Sequence, residues 1–153
     1  MISPTAEYAL RAVVAIAQGG GKAVVTATLV EMTKVPSGYL PKVLQTLRRG
    51  GLVQSKRGLG GGFTLARAPE QITVLDVVKI VDPIKRIERC PLDIGSHDTT
   101  LCPLHKRLDQ AAEMVEKSFD STTIAELLVS SDGGHAPLCK PTKPLSLGLT
   151  PHR

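Results

Sequence analysis

Two cysteines and two histidines stand close together in the second half of the chain. Cys90, His97, Cys102 and His105 follow the spacing C-x6-H-x4-C-x2-H. Two thiolates with two imidazoles make a donor set that zinc accepts in closed tetrahedral sites, although this spacing is not a familiar zinc pattern. The residue types therefore predict a metal site, and the spacing leaves the identity of the metal open.

A pair of thiols also works without a metal. Cys90 and Cys102 are each followed by Pro-Leu, and basic residues nearby would lower their thiol pKa and promote oxidation to a disulfide. Such a disulfide would clamp the segment between the two cysteines. The basic neighbours are Arg86, Arg89 and Lys106.

A second chemistry is carried by positive charge near the N-terminus. Residues 1–70 contain nine Lys/Arg and three Asp/Glu, whereas residues 71–130 contain seven and ten. No acidic residue lies between Glu31 and Glu70. A localised basic surface favours a polyanionic partner such as DNA. The alternative is that these cations form only a solvated face.

A glycine-rich hairpin tip lies within this basic region. Residues 52–55 and 63–65 predict short strands, and the segment Lys-Arg-Gly-Leu-Gly-Gly-Gly over residues 56–62 joins them. The DNA minor groove is about 6 Å wide and admits a thin backbone with one inserted Arg. We expect Arg57 to be that residue, with Lys56 and Gly60 beside it at the surface.

The elements that position these residues are mainly helices. The spacing of apolar residues predicts a helix from about Pro4 to the glycines at 19–21, a short second helix ending near Lys34, and a third helix closed by Gly50. Ser37 is the expected cap of the third helix. Helix, turn, helix and hairpin together predict a winged helix-turn-helix, a mainly α fold with a small β-hairpin wing.

Two further helices follow the wing. Thr73 caps a helix running to about Val81, and Thr123 opens a short one with a capping box. Between them, apolar residues at alternating intervals of three and four from Leu104 to Phe119 predict a long C-terminal dimerisation helix. The same stripe could instead cover the protein's own core.

These elements predict four parts of the chain. We expect a DNA-binding domain over residues 1–82, a cysteine-bearing sensor loop over 83–102, and the dimerisation helix with the short C-terminal helix over 103–130. The remainder, 131–153, holds Cys139 and is rich in proline and glycine, so we expect a disordered tail.

Several short motifs resemble the IscR/NsrR-type family of winged-helix transcription regulators. They are Tyr8-Ala9-Leu10-Arg11-Ala12, Tyr39-Leu40, Arg57-Gly58 with the glycines at 60–62, and Ile72-Thr73-Val74-Leu75. The match covers roughly residues 1–128. The resemblance implies a homodimer that places one helix-turn-helix on each half of a near-palindromic double-stranded DNA operator. In most family members an iron–sulfur cluster or a thiol state tunes that binding.

The resemblance also implies which residues meet DNA. The groove-facing stretch at the start of the third helix falls on residues 36–42, and the minor-groove Arg on Arg57. Pro41 stands where one branch of the family carries a base-reading acid, so the operator sequence does not transfer. With the cations that would hold phosphates, the expected DNA-binding residues are Pro36, Ser37, Gly38, Tyr39, Lys42, Arg48, Arg49, Lys56, Arg57 and Gly60.

The sensor loop departs from the family pattern of three cysteines at intervals of six. This register gives Cys90, Ser96 and Cys102, so the middle thiolate is missing. Either another donor replaces it in an iron–sulfur cluster, or the site binds zinc, or it has no cofactor. His97 is the substitute by adjacency. In some family members an acid from the partner subunit is a ligand, and Glu7 occupies that position, although it is also an ordinary first-turn acid of a helix.

Other classes of protein fit the sequence less well. The apolar run over residues 8–17 is too short for the roughly 20 residues of a membrane span, and no basic segment precedes it, so we expect a cytoplasmic protein without membrane contact. A cofactor-free DNA-binding regulator controlled by a protein partner is the main alternative. A small metalloenzyme is the weakest, because the sequence contains no recognisable substrate-binding motif, and we predict no enzymatic activity.

Overall fold

A computed structural model describes residues 2–91, 101–129 and 138 of the chain. Within these residues the structure is mainly helical, with one two-stranded antiparallel sheet, as the sequence predicts. No helix in the described part of the chain is long and apolar enough to cross a membrane. The helices are α1 (Pro4–Ala17), α2 (Thr26–Thr33), α3 (Leu40–Arg49), α4 (Val74–Val81), α5 (Pro103–Asp120) and α6 (Ile124–Leu128).

Helix α1 forms the centre of the core. Pro4 occupies its first position, and the Ser3 hydroxyl accepts a hydrogen bond from the Ala6 amide at 3.2 Å, which satisfies one donor of the first turn. Its alanines let other elements approach closely, and α2, α3, α4, α6 and the wing all contact it. The helix ends before the glycines at 19–21, as predicted.

Helices α2 and α3 form the helix-turn-helix. Buried Thr33 organises the turn, since its hydroxyl donates to the Leu29 carbonyl at 2.6 Å and accepts from the Val35 amide at 3.2 Å. The prediction that Ser37 caps α3 is wrong. Residues 37–39 form a turn of their own, α3 begins at Leu40, and Tyr39 is the N-cap residue without a side-chain hydrogen bond.

The turn contains a strained backbone position at Lys34. Its φ of 57° is the only positive value at a residue other than glycine within the described ranges. We expect Lys34→Gly to raise the free energy of unfolding by about 1 kcal/mol, because the left-handed conformation costs a residue with a Cβ about that much. Lys34→Ala is the matched control, since it removes the same charge and keeps the Cβ. Thermal and denaturant unfolding measure both. Equal stabilisation by both variants would show that charge and not backbone strain is responsible.

The wing consists of β1 (Val53–Lys56) and β2 (Gly62–Leu65), paired antiparallel with Val53 opposite Leu65. The predicted strands are correct to within one residue. Phe63 also pairs with Val24 through two backbone hydrogen bonds of 2.9 Å, which join the wing to the segment before α2. Gly62 makes this contact sterically permissible, because a Cβ there would lie 2.6 Å from the Val24 carbonyl.

Helices α4 and α6 each begin with a capping box; the sequence predicted the cap at Thr73 and the box at Thr123. Thr73 and Asp76 form the first, and Thr123 and Glu126 form the second. The residues before the two helices also pair with each other, since the Val74 amide donates to the Thr122 carbonyl at 2.9 Å.

The predicted division placed α6 with α5, but its contacts join it to the N-terminal unit. Ile124 is fully buried in the main core, beside α1 and the 3₁₀ turn over Pro69–Gln71. Of the predicted disordered tail only Leu138 is described, and it packs half-buried against that core. Cys139 and the rest of the segment 131–153 lie outside the described residues.

Helix α5 has an apolar stripe with two different environments. Phe119 packs half-buried against the small cluster of Ala6, Val74 and Val78. Toward the N-terminus of the helix, Leu104 is 63% exposed and Leu108 51% exposed. The stripe therefore covers the protein's own core at one end and lacks a covering element within the described chain at the other.

Candidate nucleic-acid interface and sensor site

Helix α3 has one buried face and one exposed face. Leu40, Val43, Leu44 and Leu47 repeat at intervals of three and four and are buried in the main core. The opposite face is exposed and carries no acidic side chain. Its residues are Pro41, Lys42, Gln45, Thr46, Arg48 and Arg49. A cylinder with such a face has the shape and charge that the DNA major groove accepts.

The turn before α3 presents small residues to solvent. Pro36, Ser37 and Gly38 are exposed, and a side chain at Gly38 would meet no atom within 4 Å. The backbone here can therefore approach another molecule closely, and its contact with a DNA groove stays a prediction.

Tyr39 differs from its neighbours in the predicted DNA-binding stretch. Its hydroxyl lies 2.7 Å from the Thr5 hydroxyl, and its ring meets the Tyr8 ring edge to face with centroids 5.7 Å apart. The side chain is half-buried against the core. These contacts hold the start of α3 on α1, so a base-reading role for this side chain stays a prediction.

The wing carries its charged residues at its outer end. Lys56 and Arg57 are exposed, and within the described ranges neither forms an ion pair or a side-chain hydrogen bond. Gly58 and Gly60 have φ values of 86° and 69°, so they supply the left-handed turns of the tip. Leu59 between them is fully exposed. The sequence does not indicate a function for Leu59. Its one unusual feature there is an apolar residue between two glycines.

Other cations of this region are partly fixed by neighbours. The Arg48 guanidinium donates to the Ser55 hydroxyl at 3.2 Å, which couples α3 to the wing. Arg67 pairs with Asp76 at 3.5 Å. The exposed faces of α3 and the wing thus keep an excess of positive charge, and no ion pair neutralises it within the described parts of the chain.

The second group of chemical interest lies at the start of α5. Cys102 is its N-cap residue, and His105 follows in the first turn. His105 Nδ1 lies 3.1 Å from Cys102 Sγ and 3.5 Å from Cys90 Sγ. The ligand atoms of all three residues lie within 4.8 Å of one another. The structure therefore brings together three of the residues that the sequence analysis selected.

This donor set fits a thiophilic transition metal. Zinc binds thiolates at about 2.3 Å and imidazole at about 2.0–2.1 Å in tetrahedral sites, so its ligand atoms lie roughly 3.5–4 Å apart. The two sulfur–nitrogen distances, 3.1 and 3.5 Å, lie slightly below and at the lower end of this range, and all three donor atoms lie within 4.8 Å of one another. Three donors leave one tetrahedral position for a further ligand, and the half-burial of all three residues leaves a path for it.

The remaining predicted ligands have different positions. Ser96 and His97 lie outside the described residues. Glu7 lies in the first turn of α1, and its carboxylate accepts a hydrogen bond from Arg11 Nε at 2.6 Å. It is not part of the cysteine–histidine group within one chain. Donation by Glu7 to a partner subunit's site stays a prediction.

Arg86 has a role that the sequence analysis did not identify. Its guanidinium binds three carboxylates on α5, those of Asp109, Glu113 and Glu116. The hydrogen bond from Arg86 and a second from the Ile87 amide keep the pKa of Asp109 at about 2, below its ordinary 3.8. A sequence signal was present in the acidic residues at intervals of three and four on one helix face.

The low pKa of Asp109 predicts an acid-resistant contact. Because this pKa is depressed in the folded state, the contact stabilises fully above the unfolded value near 3.8, and this contribution is lost as the pH falls through about 2. We expect the Asp109 carboxyl resonance to titrate near pH 2 in NMR, and Arg86→Gln to return its midpoint toward 3.8. An unchanged midpoint in the variant would contradict Arg86 as the cause.

The fold and the two sites define a winged helix-turn-helix DNA-binding protein with a cysteine–histidine group beside its long helix. Comparison with known proteins makes the assignment specific. The chain belongs to the Rrf2 family, described as iron-dependent transcriptional regulators, whose family model matches residues 2–130. The resemblance and the fold class inferred from sequence are thereby confirmed. The members are transcriptional regulators and not enzymes, so the metalloenzyme alternative does not apply.

Individual relatives agree with this assignment. The chain is 28% identical over 131 residues to an HTH-type transcriptional regulator of Aquifex aeolicus, which covers 84% of this chain and 91% of that protein. The solved structure of T. potens IscR matches with a TM-score of 0.70 at 27% identity, covering 84% and 85% of the two chains. CymR, the global cysteine regulator of B. subtilis, matches with a TM-score of 0.69 at 25% identity, covering 83% and 95%.

Proposed function

We propose that this protein is a homodimeric transcription regulator whose operator affinity depends on the metal or thiol state of Cys90, Cys102 and His105. One observation carries the proposal. Three donor atoms from two separate segments converge within 4.8 Å at the first turn of α5. A change in what these atoms bind would act on α5, the helix that the sequence assigns to the dimer. Because the protein is a DNA-binding regulator, we infer that it works in the cytoplasm.

The DNA-binding part of the proposal uses the two exposed basic surfaces. Helix α3 lies in the major groove, with the turn at residues 36–38 against the base edges and Lys42, Arg48 and Arg49 toward phosphates. The wing lies along the adjacent minor groove. There Arg57 enters the groove, and Lys56 contacts the backbone with the tip around Gly60 close to it.

The homodimer is supported by the exposed half of the α5 stripe. Leu104 and Leu108 are each more than half exposed, and Ala111 continues the stripe at the surface. A second copy of α5 would cover these side chains and remove their apolar area from water. A two-fold dimer places two α3 helices symmetrically, so the operator is a near-palindrome.

At the sensor site each residue has a distinct part. Cys90 and Cys102 supply thiolates, and His105 supplies Nδ1. Bound iron–sulfur or zinc would provide a charged centre that ties the segment before residue 91 to α5. The fourth donor would come from His97 or from Glu7 of the partner subunit. Without metal, oxidation of Cys90 and Cys102 to a disulfide would make the same tie.

The test combines metal analysis with DNA binding. Anaerobically purified protein is measured by near-ultraviolet and visible absorbance, with iron, sulfide and zinc quantified on the same sample, before and after reconstitution. Operator affinity is then compared for the reduced, oxidised and metal-loaded forms. Cys90→Ser and Cys102→Ser should abolish any difference between these forms, and Cys139→Ser should not. If the native protein bound the operator with the same affinity in all three states, the sensor function would be overturned and a cofactor-free regulator would be favoured.

A further inference from the structure

The segment before Cys90 lies antiparallel along one face of α5. Arg86 meets Asp109 near the middle of the helix, and Cys90 meets His105 one turn closer to its start. Cys102, His105 and Asp109 are spaced by three and four residues, so they lie on the same helix face. The ionic contact of Arg86 and the sulfur–nitrogen contact of Cys90 therefore both hold this segment against the same face of α5.

The ionic contact has a geometry that fixes orientation. Arg86 donates two parallel hydrogen bonds of 2.7 Å to the two carboxylate oxygens of Asp109, and the next amide, that of Ile87, donates to the same carboxylate at 2.9 Å. A paired guanidinium–carboxylate contact specifies both distance and angle, which a single charge pair does not. The backbone hydrogen bond ties the main chain and not only a side chain.

Further carboxylates reinforce this contact. Glu116 accepts from Arg86 at 3.1 Å, and Glu113 lies 3.7 Å away. Isolated surface ion pairs contribute little, but an arginine shared by three carboxylates on successive turns forms a network. The network therefore binds the guanidinium of Arg86 to one face of α5 through three carboxylates.

The three donors of the sensor site depend on this contact to different degrees. Cys102 is the N-cap residue of α5 and His105 lies in its first turn, so the start of the helix fixes their separation. Cys90 lies outside any helix or strand, and its position relative to α5 depends on how the segment before it is held. Loss of the Arg86 contact would therefore act on the position of Cys90 and not on the separation of Cys102 and His105.

We propose that Arg86, through its paired contact with Asp109, is the positioning residue that holds Cys90 beside Cys102 and His105. The inference rests on the proposed function in treating these three residues as the sensor. It adds that occupancy of the site depends on Arg86, which is not one of its donors.

Cobalt binding provides the first test, because Co²⁺ reports thiolate ligands by charge-transfer absorbance and stands in for zinc. We expect Arg86→Gln and Asp109→Asn to raise the Kd for Co²⁺ by about 10–100-fold, the usual effect of losing a group that orients a ligand. The thiolate band per bound Co²⁺ should fall toward that of one sulfur. Arg86→Lys, which keeps the charge without the paired geometry, should recover only part of the affinity.

Lys117→Gln is the matched control. It removes the ion pair between Lys117 and Glu113 at 2.6 Å on the same helix without touching the contact of Arg86 with Asp109. It should bind Co²⁺ as the native protein does, and circular dichroism should show native helix content for all variants. Native Co²⁺ affinity and band intensity in Arg86→Gln would overturn the proposal.

A second measurement separates the failure of this proposal from the failure of the sensor function. In a Cys139→Ser background with a chelator present, glutathione disulfide is equilibrated with the protein, so that two thiols are oxidised to one disulfide and two glutathione molecules are released. The effective concentration of Cys90 toward Cys102 follows from this equilibrium. We expect Arg86→Gln to lower it about tenfold or more. An unchanged value overturns the positioning role even where no metal binds, whereas a lowered value with state-independent DNA affinity overturns only the sensor.

Discussion

The affinity of this protein for DNA is expected to fall about 10³–10⁵-fold as the salt concentration rises from about 50 to 200 mM, with a logarithmic slope of about −5 to −9. Each cation that neutralises a phosphate releases condensed counterions, and this release becomes less favourable as bulk salt rises. A dimer that makes about six to ten phosphate contacts accounts for that slope. The exposed cations of α3 and the wing, counted in both protomers, are sufficient for this number.

Fluorescence anisotropy with a labelled duplex measures the slope. The matching control is an oligonucleotide of random sequence, because phosphate contacts carry no sequence information and give the same kind of dependence at lower affinity. A slope near zero on both duplexes would contradict a basic DNA-binding face. Equal affinities and equal slopes on the two duplexes would show that the chosen operator is not the specific site.

Local sequence signals predicted most of the fold correctly. The spacing of buried leucines and valines in α3, the threonine caps of α4 and α6, and the glycines of the wing each act within a few residues. Patterns of this range determine where a helix or strand begins and ends. The failure at Ser37 has the same origin. A serine near a helix start is a frequent cap, but here the Pro36 carbonyl accepts from the Leu40 amide at 3.0 Å and the turn postpones α3.

Contacts between residues far apart in the chain could not be predicted from the sequence. The contact of Arg86 with Asp109 spans 23 residues, and neither residue type indicates its partner. Likewise nothing in the α6 sequence specifies its packing against α1 and the 3₁₀ turn. The cysteine–histidine group was predicted from residue type, because cysteine and histidine are uncommon and seldom occur together in a polar segment without a chemical role. The distances among its three residues could be obtained only from the folded structure.

The apolar stripe of α5 shows why periodicity alone left two alternatives. An intramolecular core and a dimer interface both select apolar residues at intervals of three and four. The structure divides the stripe between Phe119, which packs on the chain's own cluster, and Leu104 with Leu108, which remain exposed. The intramolecular alternative thus describes the end of the helix at Phe119, and the dimer interface stays a prediction for the exposed end.

Substitution of Arg57 tests the wing more sharply than any other single change. We expect Arg57→Ala to cost about 1–3 kcal/mol of specific binding free energy per protomer, which for the two protomers is roughly a 30-fold to 10⁴-fold loss of operator affinity. Arg57 lies exposed beside a thin glycine turn and forms no ion pair in the described part of the chain, so its guanidinium is available to a narrow groove. Its loss should affect the operator more than random DNA and weaken discrimination in A/T-rich flanks.

The neighbouring cation provides the control that gives this prediction its meaning. Lys56→Ala removes the same charge one residue earlier, at the end of β1. It should weaken binding to DNA of any sequence by the same factor and reduce the salt slope by about 1 per protomer. Competition titrations of operator against random duplex, run for both variants at one salt concentration, separate the two effects. If Arg57→Ala retained the native ratio of operator to random affinity, Arg57 would be a phosphate contact like Lys56, and sequence reading would rest on α3 alone.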